Sequence, residues 1–337
     1  MKKNITQVAK ELNLSVGTIS KIVNNKGNVS AKTRARVLAY VNEIGYVADN
    51  SARILKSKKS WTIGVIYSDI SLVGFEHPFF SKILQAFKSH VEKEGYDIVL
   101  IVSKLGDHQL TYLEWCRNKK VDGILIVMGN INNPNIIEVV NSSYPTVSTD
   151  IVMKNLTSII SDDEEGVRLA IQDAYDHGVR SIAMFSGPTS SRSFVQRIEA
   201  YKRELSRLNL TVQEDDIWIT DGFDDQHGLT ATVQWIKQRK QLPELILVTS
   251  DVLAFGVVRG LEQLGYCVPK DVNVIGFDDI DFSKYFVPSL STVQQDTTQI
   301  GVEAAKELLK SIKINQKSPK KIIKIPVKLV KRETTCY

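Results

Sequence analysis

Beyond Ser60 the chain alternates strand-length apolar runs with helical stretches, and this pattern restricts its fold more than any other. Trp61-Thr62-Ile63-Gly64-Val65-Ile66-Tyr67 reads as an apolar strand, and Pro78 to Glu94 as a helix closed by Gly95. Further strands are expected at 98–102, 123–127, 146–148, 158–160, 182–185, 217–220, 245–248 and 272–275, with helical stretches between them. Apolar runs joined by helices imply parallel sheets covered on both faces. The strands are more than one compact sheet would normally use. Two α/β lobes are therefore expected, with a ligand cleft at the carboxyl ends of their strands.

The composition agrees with a folded protein. The 337 residues are 43% hydrophobic and 24% charged, enough to bury a large core and unlike a disordered or collagen-like chain. No apolar run approaches the roughly 20 residues that cross a bilayer. The opening Met1-Lys2-Lys3-Asn4-Ile5-Thr6-Gln7 is followed by no apolar signal segment. A cytoplasmic protein without a membrane partner is expected. Cys116, Cys267 and Cys336 stand far apart without CxxC spacing, which suggests neither a disulfide framework nor a zinc site. The histidines lack metal-ligand spacing, so no metal is assigned. GxGxxG and GxxxxGK[ST] are both missing, and no nucleophile–base set stands out; no cofactor and no catalytic residue are assigned. Asp162-Asp163-Glu164-Glu165 suits the start of a helix, where the dipole favours negative charge. The run Ser186-Gly187-Pro188-Thr189-Ser190-Ser191 reads as a turn or as an anion site.

Charge separates the first residues from the rest. Residues 1–59 carry twelve Lys or Arg against three Asp or Glu, whereas the remainder carries 31 against 35. A basic head on a mildly acidic body favours a polyanionic partner for the head. Ile5, Val8, Ala9 and Leu12 make one apolar helical face, and Asn13-Leu14-Ser15 breaks it. Ser15 is placed to cap a second helix, about Val16 to Asn24, with Ile19, Ile22 and Val23 inward. Ser30 is placed to cap a third, whose Val37, Leu38, Val41 and Ile44 would close a small core before Gly45. Two short helices joined by a tight turn form a helix-turn-helix, whose second helix enters the major groove of DNA. A packing module without nucleic acid is the alternative.

The run from Val8 to Asn24 resembles the head of LacI/GalR repressors, whose usual pattern is VAxxAGVSxxTVSRVLN. Val29-Ser30-Ala31-Lys32-Thr33-Arg34, Gly45-Tyr46 and Ala52-Arg53-Ile54-Leu55 continue the likeness. The resemblance implies base-edge reading by Val16, Gly17 and Lys21. It places Ser15, Thr18, Ser20, Asn24, Ser30, Thr33 and Tyr46 at or near phosphates. It also makes 50–57 a hinge helix, with Ala52 on the DNA and Leu55 wedged into a minor-groove step. An ordinary linker whose Leu packs on the body is the alternative. Lys21 stands where the family commonly has Arg, and a bidentate grip on guanine is lost. Ala48 stands where the family has proline.

The body resembles the same regulators and their periplasmic sugar-binding relatives. The matching stretches include His77-Pro78-Phe79-Phe80, Arg197-Ile198-Glu199-Ala200-Tyr201, Ser250-Asp251 and Val274-Ile275-Gly276-Phe277-Asp278-Asp279. Domains of 1–49 for the DNA-binding head, 50–60 for the hinge and 61–337 for a two-lobed core follow. The resemblance implies aromatic walls at Phe80 and Phe223, with Asp150, Arg197, Ser250 and Asp278 converging on ligand hydroxyls. Bland alternatives are core packing for Phe79 or Phe80, a helix carboxylate as partner for Arg197, and loop caps for Asp150 and Asp278. The expected protein is a homodimeric repressor that binds operator double-stranded DNA under control of a sugar effector. A purine- or sugar-phosphate-responsive regulator, a sugar-transport protein and an enzyme on the same lobes are the competing readings.

Overall fold

The computed structural model describes residues 3–23, 27–46, 59–67, 76–102, 104–105, 107–211, 214–239, 241–314, 316 and 320–337. The chain divides into two compact units, Met1–Ser60 and Trp61–Tyr337. Asn24 and the expected hinge at 50–57, with Ala52 and Leu55, lie outside the described residues.

In the first unit, α1 (Ile5–Glu11) begins with a reciprocal cap. Asn4 Oδ1 accepts the Gln7 N–H at 2.9 Å, and Gln7 Oε1 accepts the Asn4 N–H at 2.8 Å. Helix α2 (Val16–Val23) starts on Ser15, whose Oγ accepts the Thr18 N–H at 3.1 Å. Helix α3 (Ala31–Glu43) starts on Ser30, which accepts the Thr33 N–H at 3.2 Å. Val8, Ala9, Ile19, Ile22, Val37 and Val41 close the core between them. Leu38, expected inward, is 39% exposed. Each residue turns the helix by about 100°, and the seam through Val37, Val41 and Ile44 leaves Leu38 on the outer side.

The second unit is two lobes. The first holds β1 (Thr62–Tyr67), α4 (Pro78–Lys93), β2 (Asp97–Ile101), a hairpin of β3 (Lys104–Leu105) and β4 (His108–Gln109), α5 (Tyr112–Asn118), β5 (Gly123–Met128), α6 (Pro134–Asn141), β6 (Thr146–Ser148) and β7 (Thr157–Ser161). The second holds α7 (Asp163–Asp176), β8 (Ile182–Ser186), α8 (Arg192–Arg207), β9 (Ile217–Ile219), α9 (Asp225–Lys237), β10 (Leu245–Val248), α10 (Asp251–Gln263), β11 (Asn273–Asp278) and β12 (Ser291–Gln295). The chain then returns to the first lobe as α11 (Thr297–Ile314) and β13 (Lys321–Ile325). It crosses once more as β14 (Val327–Val330).

The sheet orders are β13-β7-β6-β5-β1-β2 and β14-β12-β11-β10-β8-β9. Every pairing within them is parallel except β14 on β12, which corrects the expectation of wholly parallel sheets. Strand residues alternate between two covered faces. Leu245 and Leu247 enter one core of the second lobe, while Ile246 and Val248 enter the other. Burial on both sides is why the strands read as unbroken apolar runs. The returning helix α11 lies tight on α4, because a Cβ at Gly301 would come within 2.4 Å of the Ile83 carbonyl oxygen. The lobes are joined at three crossings, at Asp162, Asp296 and Pro326. Lys324 beside the third crossing pairs with Asp162 at the first, 3.0 Å away.

Candidate functional site

Parallel strands deliver their outgoing turns to one edge of each sheet. The start of α4 and the turns after β5, β6, β8, β9 and β10, with the ends of β11 and β12, line a cavity of about 280 Å³ between the lobes. Phe80 and Asp150 of the first lobe line it, together with Arg197, Phe223, Ser250 and Asp278 of the second. All six candidate ligand residues thus meet in one place, drawn from six separate turns or elements.

Asp163, the first residue of α7, organises the charged wall. Its Oδ1 accepts Arg197 Nε at 2.9 Å and its Oδ2 accepts an Arg192 N–H at 2.9 Å. Asp163 and Arg197 are each 4% exposed, and their ion pair is dry. Arg197 also donates to the Thr249 carbonyl at 2.5 Å and stacks 3.5 Å over the Phe277 ring. Its remaining reach toward Asp278 is 4.0 Å. Arg197 therefore pairs with a helix carboxylate and lines the cavity at once. Arg192 Nε donates to the Asp150 carbonyl at 3.1 Å, which ties α8 of one lobe to a turn of the other.

These contacts leave two carboxyls short of a cation. Burial pushes Asp150 up to about 6, against the Gly129 N–H at 3.1 Å and the nearby arginines. Burial likewise raises Asp278, with Arg197 opposing the shift. Asp278 accepts Gln295 Nε2 at 2.5 Å. Its φ of 133° and the 55° of Asp279 are strained for side-chain-bearing residues. Arg332 holds Asp279 at 2.6 Å, and Gln294 binds its other oxygen, so the turn is clamped with Asp278 at the cavity. Ser250 caps α10 by accepting the Leu253 N–H at 3.4 Å. Its neighbour Asp251 is buried and accepts the Ser283 hydroxyl at 2.6 Å and the Ile280 N–H at 3.0 Å. It anchors the turn behind Asp278.

The apolar wall is a run of rings from both lobes. Phe80 stands edge-on to Phe79, and His77 packs 5.1 Å from Phe80 and 5.5 Å from Phe223. Phe223 in turn lies 6.0 Å from Phe194. Both Phe79 and Phe80 line the cavity while packing against core residues. Sequence reasoning missed His77, Phe194 and Gln295 as lining residues, and missed Asp163 and Arg192 as the supports behind them. Pro78 at the first turn of α4 was the signal available for His77, since it fixes where that helix starts.

On the head, Ser15, Val16, Gly17, Lys21 and Ser30 are exposed, while Thr18, Ser20, Thr33 and Tyr46 are half-buried. Val16 is 42% exposed although apolar, on the helix whose Ile19 and Ile22 face the core. The Ser15 and Ser30 hydroxyls each meet a threonine hydroxyl, Thr18 and Thr33, at 2.8 Å. Among the described residues no helix is long and apolar enough to cross a membrane. No group of three or more His, Cys, Asp or Glu among them is placed to hold a metal ion.

Comparison with known proteins covers both units. Residues 4–49 match the bacterial regulatory proteins, lacI family, and residues 171–335 match the periplasmic binding protein-like domain. Catabolite control protein A of Priestia megaterium is 31% identical over 340 residues, covering 99% of this chain and 100% of that protein. The HTH-type transcriptional repressor PurR of Vibrio vulnificus is 28% identical over 335 residues, 98% of each chain. Among solved structures, the lac repressor dimer bound to operator and the anti-inducer ONPF matches with a TM-score of 0.81 at 27% identity, covering 100% of both chains. A regulator from Enterococcus faecium with bound ribose matches with a TM-score of 0.68 at 27% identity, over 81% of this chain and 98% of that one.

Proposed function

Because this chain belongs to the lacI family of bacterial regulatory proteins and is a DNA-binding transcriptional repressor rather than an enzyme, we propose that it controls carbohydrate-metabolism genes and that a neutral sugar in the inter-lobe cavity sets its operator affinity. One observation carries the sugar reading. The cavity sets aromatic rings beside carboxyls whose arginine partners are already committed to Asp163, the Thr249 carbonyl and the Asp150 carbonyl. Rings cover the C–H face of a sugar, and the carboxyl oxygens these contacts leave unspent hydrogen-bond its hydroxyls. Asp221 and Asp224 also line the cavity, so a phosphorylated ligand would add negative charge to a site already rich in it. A purine is the competing effector, since the same rings would stack on it and the same carboxyls would accept its N–H groups.

Two copies of the chain would present their heads to a near-palindromic operator, with half-sites about one helical turn or a multiple apart. In this proposal Val16, Gly17 and Lys21 read base edges and the hydroxyl residues set the register on phosphates. The sugar would close the lobes about the three crossings and, through the hinge at 50–57, relieve repression.

Thermal-shift titration of the full chain with neutral sugars, sugar phosphates and purines tests the effector class, because a ligand of the native state raises apparent stability. A rise with a neutral sugar, lost in Asp278→Ala and Arg197→Ala, is expected, together with release from operator DNA in a gel-shift assay. A rise with a purine alone would overturn the sugar reading.

A further inference from the structure

Two of the three cysteines, remote in sequence, are brought to the same turn of the second lobe. Between α10 and β11 the chain makes a tight turn at residues 267–271. The Asp271 N–H bonds the Cys267 carbonyl at 2.8 Å, and Asp271 Oδ2 accepts the Cys267 N–H at 2.7 Å. The segment after β14 comes back across this turn. The Cys336 N–H donates to Asn273 Oδ1 at 3.0 Å. Its Sγ lies 3.7 Å from the carbonyl oxygen of Pro269, at the middle of the turn that Cys267 opens. Both thiols are free and exposed. Neither belongs to the cavity or to the head.

We propose that Cys267 and Cys336 form a reversible redox pair that a hydroperoxide converts to an intramolecular disulfide. Cys336 Sγ contacts two oxygen acceptors, the Pro269 carbonyl and Asn273 Oδ1 at 3.6 Å. Both thiols are open to the peroxide, and the same chemistry follows from either; we take it from Cys267. Its thiolate attacks the peroxide, and the O–O bond breaks to leave a sulfenic acid and one molecule of water or alcohol. The Cys336 sulfur then attacks the sulfenic sulfur, releases water and closes the S–S bond. The two electrons lost by the thiols reduce the peroxide, and a dithiol reductant reverses the change. Residues 331–337 contain no helix or strand, so a turn of the Cys336 side chain toward Cys267 breaks no ladder hydrogen bond.

The position gives the pair a route to the cavity. Along the same segment, Thr334 Oγ1 donates to the Val274 carbonyl at 2.8 Å, and Arg332 grips Asp279 at 2.6 Å. A disulfide at Cys336 would fasten the segment that clamps the turn of Asp278. Cys116 supplies an internal control, since it is buried in the first lobe and burial pushes its thiol up to about 12.

The test treats the full chain with hydrogen peroxide, followed by alkylation and peptide mass mapping without reductant. A linked pair of peptides holding Cys267 and Cys336, about 2 Da below the sum of their thiol forms, is expected. Thiol titration after denaturation should fall from three groups to one, and dithiothreitol should restore all three. Cys267→Ser and Cys336→Ser should each abolish the linked species, while Cys116→Ser should leave it intact. Overoxidised but unlinked thiols, or linkage found only between separate chains, would overturn the proposal.

Discussion

The head buries apolar Val8, Ala9, Ile19, Ile22, Val37 and Val41 and turns its polar side chains outward, whereas the cavity draws polar side chains in and bonds them to one another. In the head, a hydroxyl serves the backbone first, as Ser15 and Ser30 do by capping helices, and stays open to solvent. In the cavity, a charge is held by partners that solvent does not reach, as Asp163 holds Arg192 and Arg197. The head's polar groups are thus cheap to alter and easy to expose to a large partner. Those of the cavity are costly to alter and suited to a small one.

The largest effect should come from breaking the buried network. Asp163→Ala leaves Arg197, 4% exposed, without its carboxylate, and Arg192 with only the Asp150 carbonyl. A loss of about 3–5 kcal/mol in urea denaturation is expected, because removal of one partner strands a buried charge. A loss below about 1 kcal/mol would mean that water or another group takes the place of Asp163. In the head, Ile22→Ala removes a side chain that is 1% exposed and should cost about 2–4 kcal/mol. With so small a core, that change should abolish operator binding while the body keeps its melting transition. Loss of both together would show that the two units do not fold independently.

Acid should also separate the two regions. Asp150 is raised from 3.8 to about 6, so the native state takes up a proton between these values while the unfolded chain does not. Its contribution to stability is therefore present below pH 4, declines as pH rises toward 6 and is flat above. Asp150→Asn should remove that part of the slope in denaturation curves measured from pH 4 to 7. Sugar affinity should run the other way, falling by at most about tenfold per pH unit below 6 as the accepting carboxylate is lost. A pH-independent affinity across this range would remove Asp150 from the ligand contacts.

How much of this was legible follows the same division. The head's helices, caps and exposed face could be read because they lie in one short run of sequence, where helical period and cap residues act locally. Leu38 was misplaced because one position along a helix decides between core and solvent. Phe80, Asp150, Arg197, Phe223, Ser250 and Asp278 were named only through family resemblance, and the fold gathers them. Asp163 was read as a helix-start residue, which it is; nothing local announces that two arginines of α8 reach it across the lobe. Strand β12 escaped notice because its Ser291 and Thr292 are buried polar residues, whose hydroxyls are satisfied by the distant Arg332 N–H and Asp251. Tertiary hydrogen bonds, and not apolar period, make that stretch a strand.

The smallest effect is the most discriminating for the head. Ser30 caps α3 through the Thr33 N–H, and it is also proposed to lie near a phosphate. Ser30→Ala removes both roles and should cost about 1 kcal/mol of head stability, with weaker operator binding. Ser30→Asp keeps an acceptor for the Thr33 N–H and places negative charge at a helix start, so the stability should return. Beside a phosphate the same charge repels, and operator affinity should stay low, with the greatest loss at low salt. Recovery of affinity along with stability would make Ser30 a cap alone. The face of the head that meets DNA would then have to be drawn from α2 without it.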